Sequence, residues 1–405
     1  MGVQLPHGRS DHLHGGSTLK ASIADVDVAG KRVLVREDLN VPLANGGIAD
    51  DSRIKAAVPT LEHLAERGAK VIVMSHLGRP KGVEESLSLR PVAVALSQQL
   101  GREVRFADDC IGQAARGAVG RLNDGEVLLL ENVRFHPEDE ANDPEFANRL
   151  ASLGEIFVND AFAASHRAHA SVVGVAKHLP AYAGELMLAE LAALHKALDD
   201  PKRPLVAVVG GAKVSTKVGV LTHLLAKVDA LLIGGAMANT FFRAQGFPTG
   251  AGLVEETALK DATEVEQKGG KKLVLPVDLV CARKMEAGQE LETVAADAVE
   301  PGWMALDIGP KSVARFSEHI ASAKTIVWNG PMGVAEIGDF SMGTREVGEA
   351  IARSRAYTLV GGGDTVAAID SLGLSGFSHV STGGGATLEY LEGKVLPGVA
   401  ILKDA

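Results

Sequence analysis

Short unbroken apolar runs alternate along the chain with longer stretches in which apolar positions recur every three or four residues. The runs "KRVLVRED", "AKVIVMSH", "EVLLLENV" and "EIFVNDAF" mark the first half. "PLVAVVGG", "ALLIGG", "KLVLPVDLV", "TIVWNGP", "AYTLVGGG" and "SHVSTGGG" mark the second. A strand covered on both faces has no polar side to present, so it reads as a continuous β-branched run rather than as an alternation. Helical patterns lie between the runs, such as "DDSRIKAAVPTLEHLAERG", with Asp50, Asp51 and Ser52 as its N-cap region and Gly68 as its stop. The pattern predicts an α/β protein of two doubly wound, Rossmann-like domains, each a parallel sheet with helices on both faces. The Leu/Ala periodicity of "GELMLAELAALHKALDDPKRP" predicts one long helix and hinge between them, stopped at Asp199-Asp200-Pro201.

Composition narrows the picture. A chain of 405 residues has the length for two domains. A net charge of −10 argues against a general nucleic-acid surface but leaves local anion sites open. Cys110 and Cys281 stand far apart, imply no disulfide framework and fit a reducing cytoplasm. No apolar run reaches the roughly 18 residues of a transmembrane helix, so no membrane partner is expected. The opening "MGVQLPHGRSDHLHGGS" lacks the apolar centre of a secretory signal. Residues 1–17 are expected to be a disordered extension, with His7, His12 and His14 in a solvated tail.

Four glycine clusters of the second half fall at the carboxyl end of a predicted strand: Gly210-Gly211, Gly234-Gly235, Gly361 to Gly363 and Gly383 to Gly385. Ligands of open parallel sheets sit there. Glycine lets the backbone approach a ligand, and the helix that follows offers free N–H groups to phosphate. Tight turns without a ligand are the alternative, and four clusters along one edge weigh against it. Neither standard fingerprint is present: "GGAKVSTK" lacks the Walker spacing, and Val366 stands where a third glycine of G-x-G-x-x-G belongs. Only "VGGGDTVAAID" carries an Asp-Thr pair; "STGGGATLEYLEGK" does not. A carboxylate at Asp364 would repel phosphate unless a cation lay between them, and Mg²⁺ is the ion that bridges carboxylate to phosphate. Thr365 can donate its hydroxyl or N–H to a phosphate oxygen. A capping role would explain the Asp but not the glycines before it.

The first half carries charged and polar side chains at its strand ends. These are Asp38 and Asn40 in "REDLNVPL", His76 and Arg79 in "SHLGRP", Arg134 in "ENVRFH" and Arg167 in "SHRAHAS", with Arg53 opening the first helix. Each arginine alone would read as a surface ion pair. Together they predict a pocket for a small, multiply charged anion. His166 and His169 lack the partner ligands of a metal site.

In order along the chain, "VLVREDLNVPL", "SHLGRPKG", "LLLENVRFH", "VNDAFAASHRAHAS", "VVGGAKVSTK", "IGGAMA", "LDIGP", "WNGPMGVAE", "GGGDT" and "STGGGATLEYLEGKVLPGV" resemble the phosphoglycerate kinases from about Thr18 to the C-terminus. The resemblance implies reversible phosphoryl transfer between 1,3-bisphosphoglycerate and ADP, giving 3-phosphoglycerate and ATP, by a cytoplasmic monomer of glycolysis and gluconeogenesis. It implies a glycerate-binding domain over residues 18–185, an interdomain helix over 186–200, a nucleotide-binding domain over 201–390 and a tail, 391–405, returning to the first domain. The glycerate would be held by Asp38, Leu39, Asn40, Arg53, His76, Leu77, Gly78, Arg79, Arg134 and Arg167. The nucleotide would meet Gly211, Lys213, Lys217, Asn329 and the stretch Gly362, Gly363, Asp364 and Thr365. Glu336 would take the ribose, Gly309 and Gly234-Gly235 would flank the adenine, and Asp364 would hold Mg²⁺ through the phosphates. Arg53, Lys213, Lys217 and Gly384 would carry catalysis. Glu37, "AFAAS" and Ala335 depart from the usual pattern, which has an apolar residue, "AFGTA" and Phe there.

The acceptor carboxylate of 3-phosphoglycerate is already ionised at neutral pH. No general base is needed, in keeping with a chain that shows no nucleophile–base pair. With the two substrates on different domains, the cleft is expected to close by hinge motion near Glu185–Pro201 and the C-terminal crossing. An oxidoreductase with two nucleotide folds would need a G-x-G-x-x-G after its first strand, which is absent. An inactive binding protein would have no need of Arg53, Lys213, Lys217 and Asp364 together.

Overall fold

The computed structural model describes residues 20–44 and 47–405; the extension expected over 1–17 lies outside the described residues. In the first half, β1 (Arg32–Arg36), β2 (Lys70–Met74), β3 (Val104–Ala107), β4 (Val127–Leu130), β5 (Ile156–Asn159) and β6 (Ala181–Ala183) form one sheet. Its order is β3-β4-β2-β1-β5-β6 and every pairing is parallel. Val33 and Val35 of β1 pack with Ile54, Leu61 and Leu64 of helix Ser52–Glu66, while Leu34 faces Phe157 and Leu150 on the other side. All three strand residues are 0% exposed, which is why the run carries no polar alternation. Burying each such side chain contributes about 1.5–3 kcal/mol.

The second half continues with β7 (Leu205–Val209), β8 (Ala230–Ile233), β9 (Leu273–Val274), β10 (Asp278–Ala282), β11 (Glu292–Ala295), β12 (Met304–Ile308), β13 (Thr325–Asn329), β14 (Tyr357–Val360) and β15 (His379–Val380). Six of these make a second parallel sheet of order β9-β8-β7-β13-β14-β15. "KLVLPVDLV" is not the single buried strand its apolarity predicts. Leu273–Val274 joins the parallel sheet, and Asp278–Ala282 turns away as the centre of an antiparallel sheet of order β11-β10-β12. Pro276, with no N–H to give, falls in the break. The short strands β3 and β6 also went unread.

Helix Glu185–Leu198 forms where the Leu/Ala pattern places it. Met187, Leu194 and Leu198 take it into an apolar cluster that runs from Leu34 in the first sheet to Leu205 in the second. The C-terminal residues lie on the first half: Gly398 N donates to Ser165 O at 2.9 Å, Lys403 N to Ala181 O at 3.0 Å, and Lys20 pairs with Asp404 at 2.6 Å. In each sheet the strand order reverses beside the first strand, between β1 and β5 and between β7 and β13. Those reversals open crevices at the carboxyl ends.

Candidate active site

The last residue of β1, Arg36, organises the first crevice from within. It is 0% exposed. Its guanidinium donates to Ser171 Oγ at 3.1 Å and to the Glu37 carbonyl, and Nη2 lies 3.0 Å from His76 Nδ1, which accepts. Burial pushes the Arg36 pKa down, while Asp139, Asp38 and Glu37 support its charge. His76 is held well below the usual histidine range by burial and then by Arg36, Arg134 and Arg53, so its ring is neutral at pH 7. Arg53 reaches from the first turn of its helix to pair with Asp38. Asn40 Oδ1 accepts from Gly78 N at 2.8 Å, and Arg134 Nη1 donates to Gly78 O at 2.9 Å. Burial and the neighbouring charges of Arg36 and Arg167 push the Arg134 pKa down. Arg167 and Arg79 are exposed, whereas Leu39 and Leu77 are buried and serve the pocket through packing and backbone. The charges of Arg36, Arg134 and Arg53 thus converge on His76.

Glu37 follows Arg36 in the chain and is buried with it. The residue is 0% exposed, and burial and the carboxylate of Asp160 push its pKa well above the usual range. Burial also lifts Asp160 to about 6.

The second crevice lies between β7 and β13. Lys217 bonds Asn329 Oδ1, and Asn329 Nδ2 donates to Gly361 O at 2.8 Å. Burial pushes the Lys217 pKa down, and Asp364 and Glu392 oppose the shift, which places the Asp364 carboxylate in the lysine's field. Asp364 is exposed in the first turn of helix Gly363–Ser371. A Cβ at Gly363 would meet nothing within 4 Å, and the same holds at Gly384. These two positions face open space. By contrast, a Cβ at Gly210 would stand 1.9 Å from Pro331 O, and one at Gly234 would stand 2.5 Å from Met332 Sδ. There the glycines allow loop to pack on loop, and the ligand-free explanation of the pattern suffices. A Cβ at Gly235 would stand 2.6 Å from Gly211 N, whereas one at Gly211 would meet only Lys217 Cε, at 3.8 Å; Gly309 is pressed against Asp278 at the start of its helix.

Thr365 requires a correction. Its hydroxyl donates to Gly361 O at 2.9 Å and accepts from Gly330 N at 2.7 Å, and its N–H bonds Gly362 O at 3.1 Å. It is buried and braces the loop; neither donor is free for a phosphate. Lys213 is exposed on the loop after β7, where its charge acts on Glu255. Glu336 is also exposed.

The two halves meet beside the first crevice. A small cavity is lined by Asp38, Arg53 and Phe162 from the first half and by Thr382 from the second, with Leu186 of the long helix between them. The run Gly383 to Gly385 packs on the first half: a Cβ at Gly383 would lie 2.4 Å from Phe162, and one at Gly385 would lie 3.3 Å from His166. Glu190 fixes this junction. It is 0% exposed, accepts from Thr382 N at 2.8 Å and Oγ1 at 2.9 Å, and lies 2.9 Å from His379 Nε2. Neither Arg36 nor Glu190 was singled out from the sequence. The available signal was a charge inside an otherwise apolar run. Asp364 offers an exposed carboxylate beside open backbone, a donor set that fits Mg²⁺ shared with phosphate oxygens.

The family profile for phosphoglycerate kinase matches residues 23–394. A phosphoglycerate kinase of Moorella thermoacetica is 54% identical over 390 residues, covering 95% of this chain and 99% of that one. One of Synechococcus elongatus is 54% identical over 395 residues, covering 95% and 98%. Among solved structures, that of phosphoglycerate kinase from Coxiella burnetii superposes with a TM-score of 0.88 at 45% identity, covering 94% of this chain and 98% of that one. The enzyme from Pyrococcus horikoshii gives 0.83 at 34% identity over the same shares. With a profile spanning nearly its whole length and relatives identical at more than half their positions, the chain belongs to the phosphoglycerate kinase family.

Proposed function

We propose a division of labour between the two crevices for the family's reaction. The chain is an ATP-generating phosphotransferase of glycolysis and gluconeogenesis, moving a phosphoryl group reversibly between 1,3-bisphosphoglycerate and ADP. The cationic pocket of the first half (residues 18–185) holds the glycerate through Asp38, Asn40, Arg53, His76, Arg79, Arg134 and Arg167. The second half (201–390) holds the nucleotide, with its phosphates over Gly363 and Gly384. Lys213, Lys217 and Arg53 stabilise the charge on the group in flight, and the backbone N–H at Gly384 adds a donor. Mg²⁺ on Asp364 would neutralise charge on the nucleotide phosphates. The acceptor is an ionised carboxylate, so the protein's work is positioning and electrostatics.

The observation that carries this reading is the cavity lined by Arg53 on one side and Thr382 on the other. A coupled assay of ATP- and Mg²⁺-dependent phosphorylation of 3-phosphoglycerate tests it. Lys217→Met should lower kcat on the order of 10²–10³-fold, the cost of removing one transition-state cation or donor. The glycerate KM should hardly move. Equal losses in kcat and in glycerate affinity would contradict the role given to Lys217. We place the enzyme in the cytoplasm as a monomer. Both cysteines are free, and among the described residues no helix is long and apolar enough to cross a membrane.

A further inference from the structure

At the outer edge of the first sheet, away from the long helix, three ligating side chains of different chemistry meet. Asp109 and Cys110 follow the edge strand β3, and His136 follows the short turn Val133–Phe135 after β4. A carboxylate oxygen of Asp109, Cys110 Sγ and a ring nitrogen of His136 all lie within 4.8 Å of one another. In a tetrahedral zinc site with bonds of about 2.0–2.3 Å, ligand atoms stand roughly 3.3–3.8 Å apart. Side-chain adjustments of about an ångström would therefore close this set on an ion. We infer that Asp109, Cys110 and His136 form a binding site for a borderline-soft divalent ion, Zn²⁺ or Co²⁺, with solvent as the fourth ligand.

The surroundings prepare each ligand. Asp109 Oδ1 accepts from Cys110 N at 2.7 Å, which fixes the carboxylate, and lies 2.8 Å from His136 Nε2, a contact that a bound ion would replace. The Phe146 ring, 5.3 Å from the imidazole centroid, holds the plane of His136. Asp109 and His136 are partly exposed, while the Cys110 thiol is buried. The Asp109 carboxylate lies beside the Cys110 sulfur. That charge suits a dication, whose arrival would send the thiol proton to solvent. Arg149 stands across Gly112 from Asp109 Oδ2, and its charge limits the affinity. Thiolate and imidazole select Zn²⁺ or Co²⁺ over Mg²⁺, so this site and the nucleotide's ion do not compete. A bound ion would tie the loop after β3 to the turn that carries Arg134, two residues before His136.

The test is a cobalt titration of the reduced, chelator-stripped full chain, followed by near-ultraviolet absorption. A sulfur-to-cobalt charge-transfer band should saturate at one ion per chain and be displaced by Zn²⁺. Cys281→Ser should keep the band and Cys110→Ser should lose it. His136→Gln should weaken cobalt binding by about tenfold or more. His7, His12 and His14 can bind cobalt but cannot give a thiolate band. Absence of the band in the native chain, or its survival in Cys110→Ser, would overturn the assignment. If Cys110→Ser fails to fold, unchanged affinity in His136→Gln overturns it equally. The three residues would then be an ion pair over a packed thiol.

Discussion

Gly363→Ala separates the two explanations of a glycine-rich strand end within one molecule. Gly363 opens helix Gly363–Ser371, and an added Cβ would meet no atom within 4 Å. The substitution therefore costs the folded state nothing in contacts and removes freedom from the unfolded chain, a gain of about 0.4–1 kcal/mol. If that open space belongs to the nucleotide phosphates, the same methyl group overpacks the bound complex, at about 1–3 kcal/mol. At 1.4 kcal/mol per decade, that is a loss of roughly 5- to 150-fold in affinity for Mg-ADP. The paired control is Gly210→Ala, whose Cβ would stand 1.9 Å from Pro331 O and must force two loops apart. The expected result is opposite signs in urea denaturation, with Gly363→Ala at or above the native midpoint and Gly210→Ala well below it. Calorimetric titration with Mg-ADP should show the affinity loss in the more stable variant. Gly363→Ala that binds Mg-ADP as tightly as the native chain would refute the phosphate assignment and leave this cluster a turn.

Three other outcomes follow from buried charge and from the cleft. Asp307 is pushed up by burial to about 7, although it accepts from Gly343 N and Ile308 N. The native state keeps a proton that the unfolded chain releases near the ordinary carboxylate pKa, so this residue's contribution falls as pH rises towards 7 and is flat above it, by up to about 4 kcal/mol. Urea midpoints measured across that window should slope less in Asp307→Asn than in the native protein, and parallel slopes would contradict the shift. Arg36→Met strands the buried carboxylate of Asp139 and should cost about 3–5 kcal/mol along with glycerate affinity; a loss below about 1 kcal/mol would mean the cation is dispensable. Small-angle scattering should show one chain per particle and compaction only with both substrates bound. A dimer, or an unchanged radius of gyration, would count against the monomer and the closing cleft respectively.

Much of this protein was legible in the order of its residues, because the legible features are local. Runs such as Val33 to Val35 are buried on both faces and so show no alternation, which marks parallel strands wherever they occur. The strand-end motifs bring Asp38, Arg53, His76 and Arg134 to one crevice because parallel strands all point the same way. Tertiary structure decided what depends on contacts between distant segments. "KLVLPVDLV" has the apolarity of one strand, and only its neighbours divide it between two sheets. The sequence alone cannot tell the open Gly363 from the packed Gly210, since the difference is whether Pro331 stands nearby. Thr365 carries a phosphate-binder's hydroxyl, yet Gly330 and Gly361 had already engaged it. The raised pKa of Glu37, the strut at Glu190 and the meeting of Asp109, Cys110 and His136 belong to the same class. A side chain's type is fixed by the chain, but its charge and its free hydrogen bonds are set by what folding places around it.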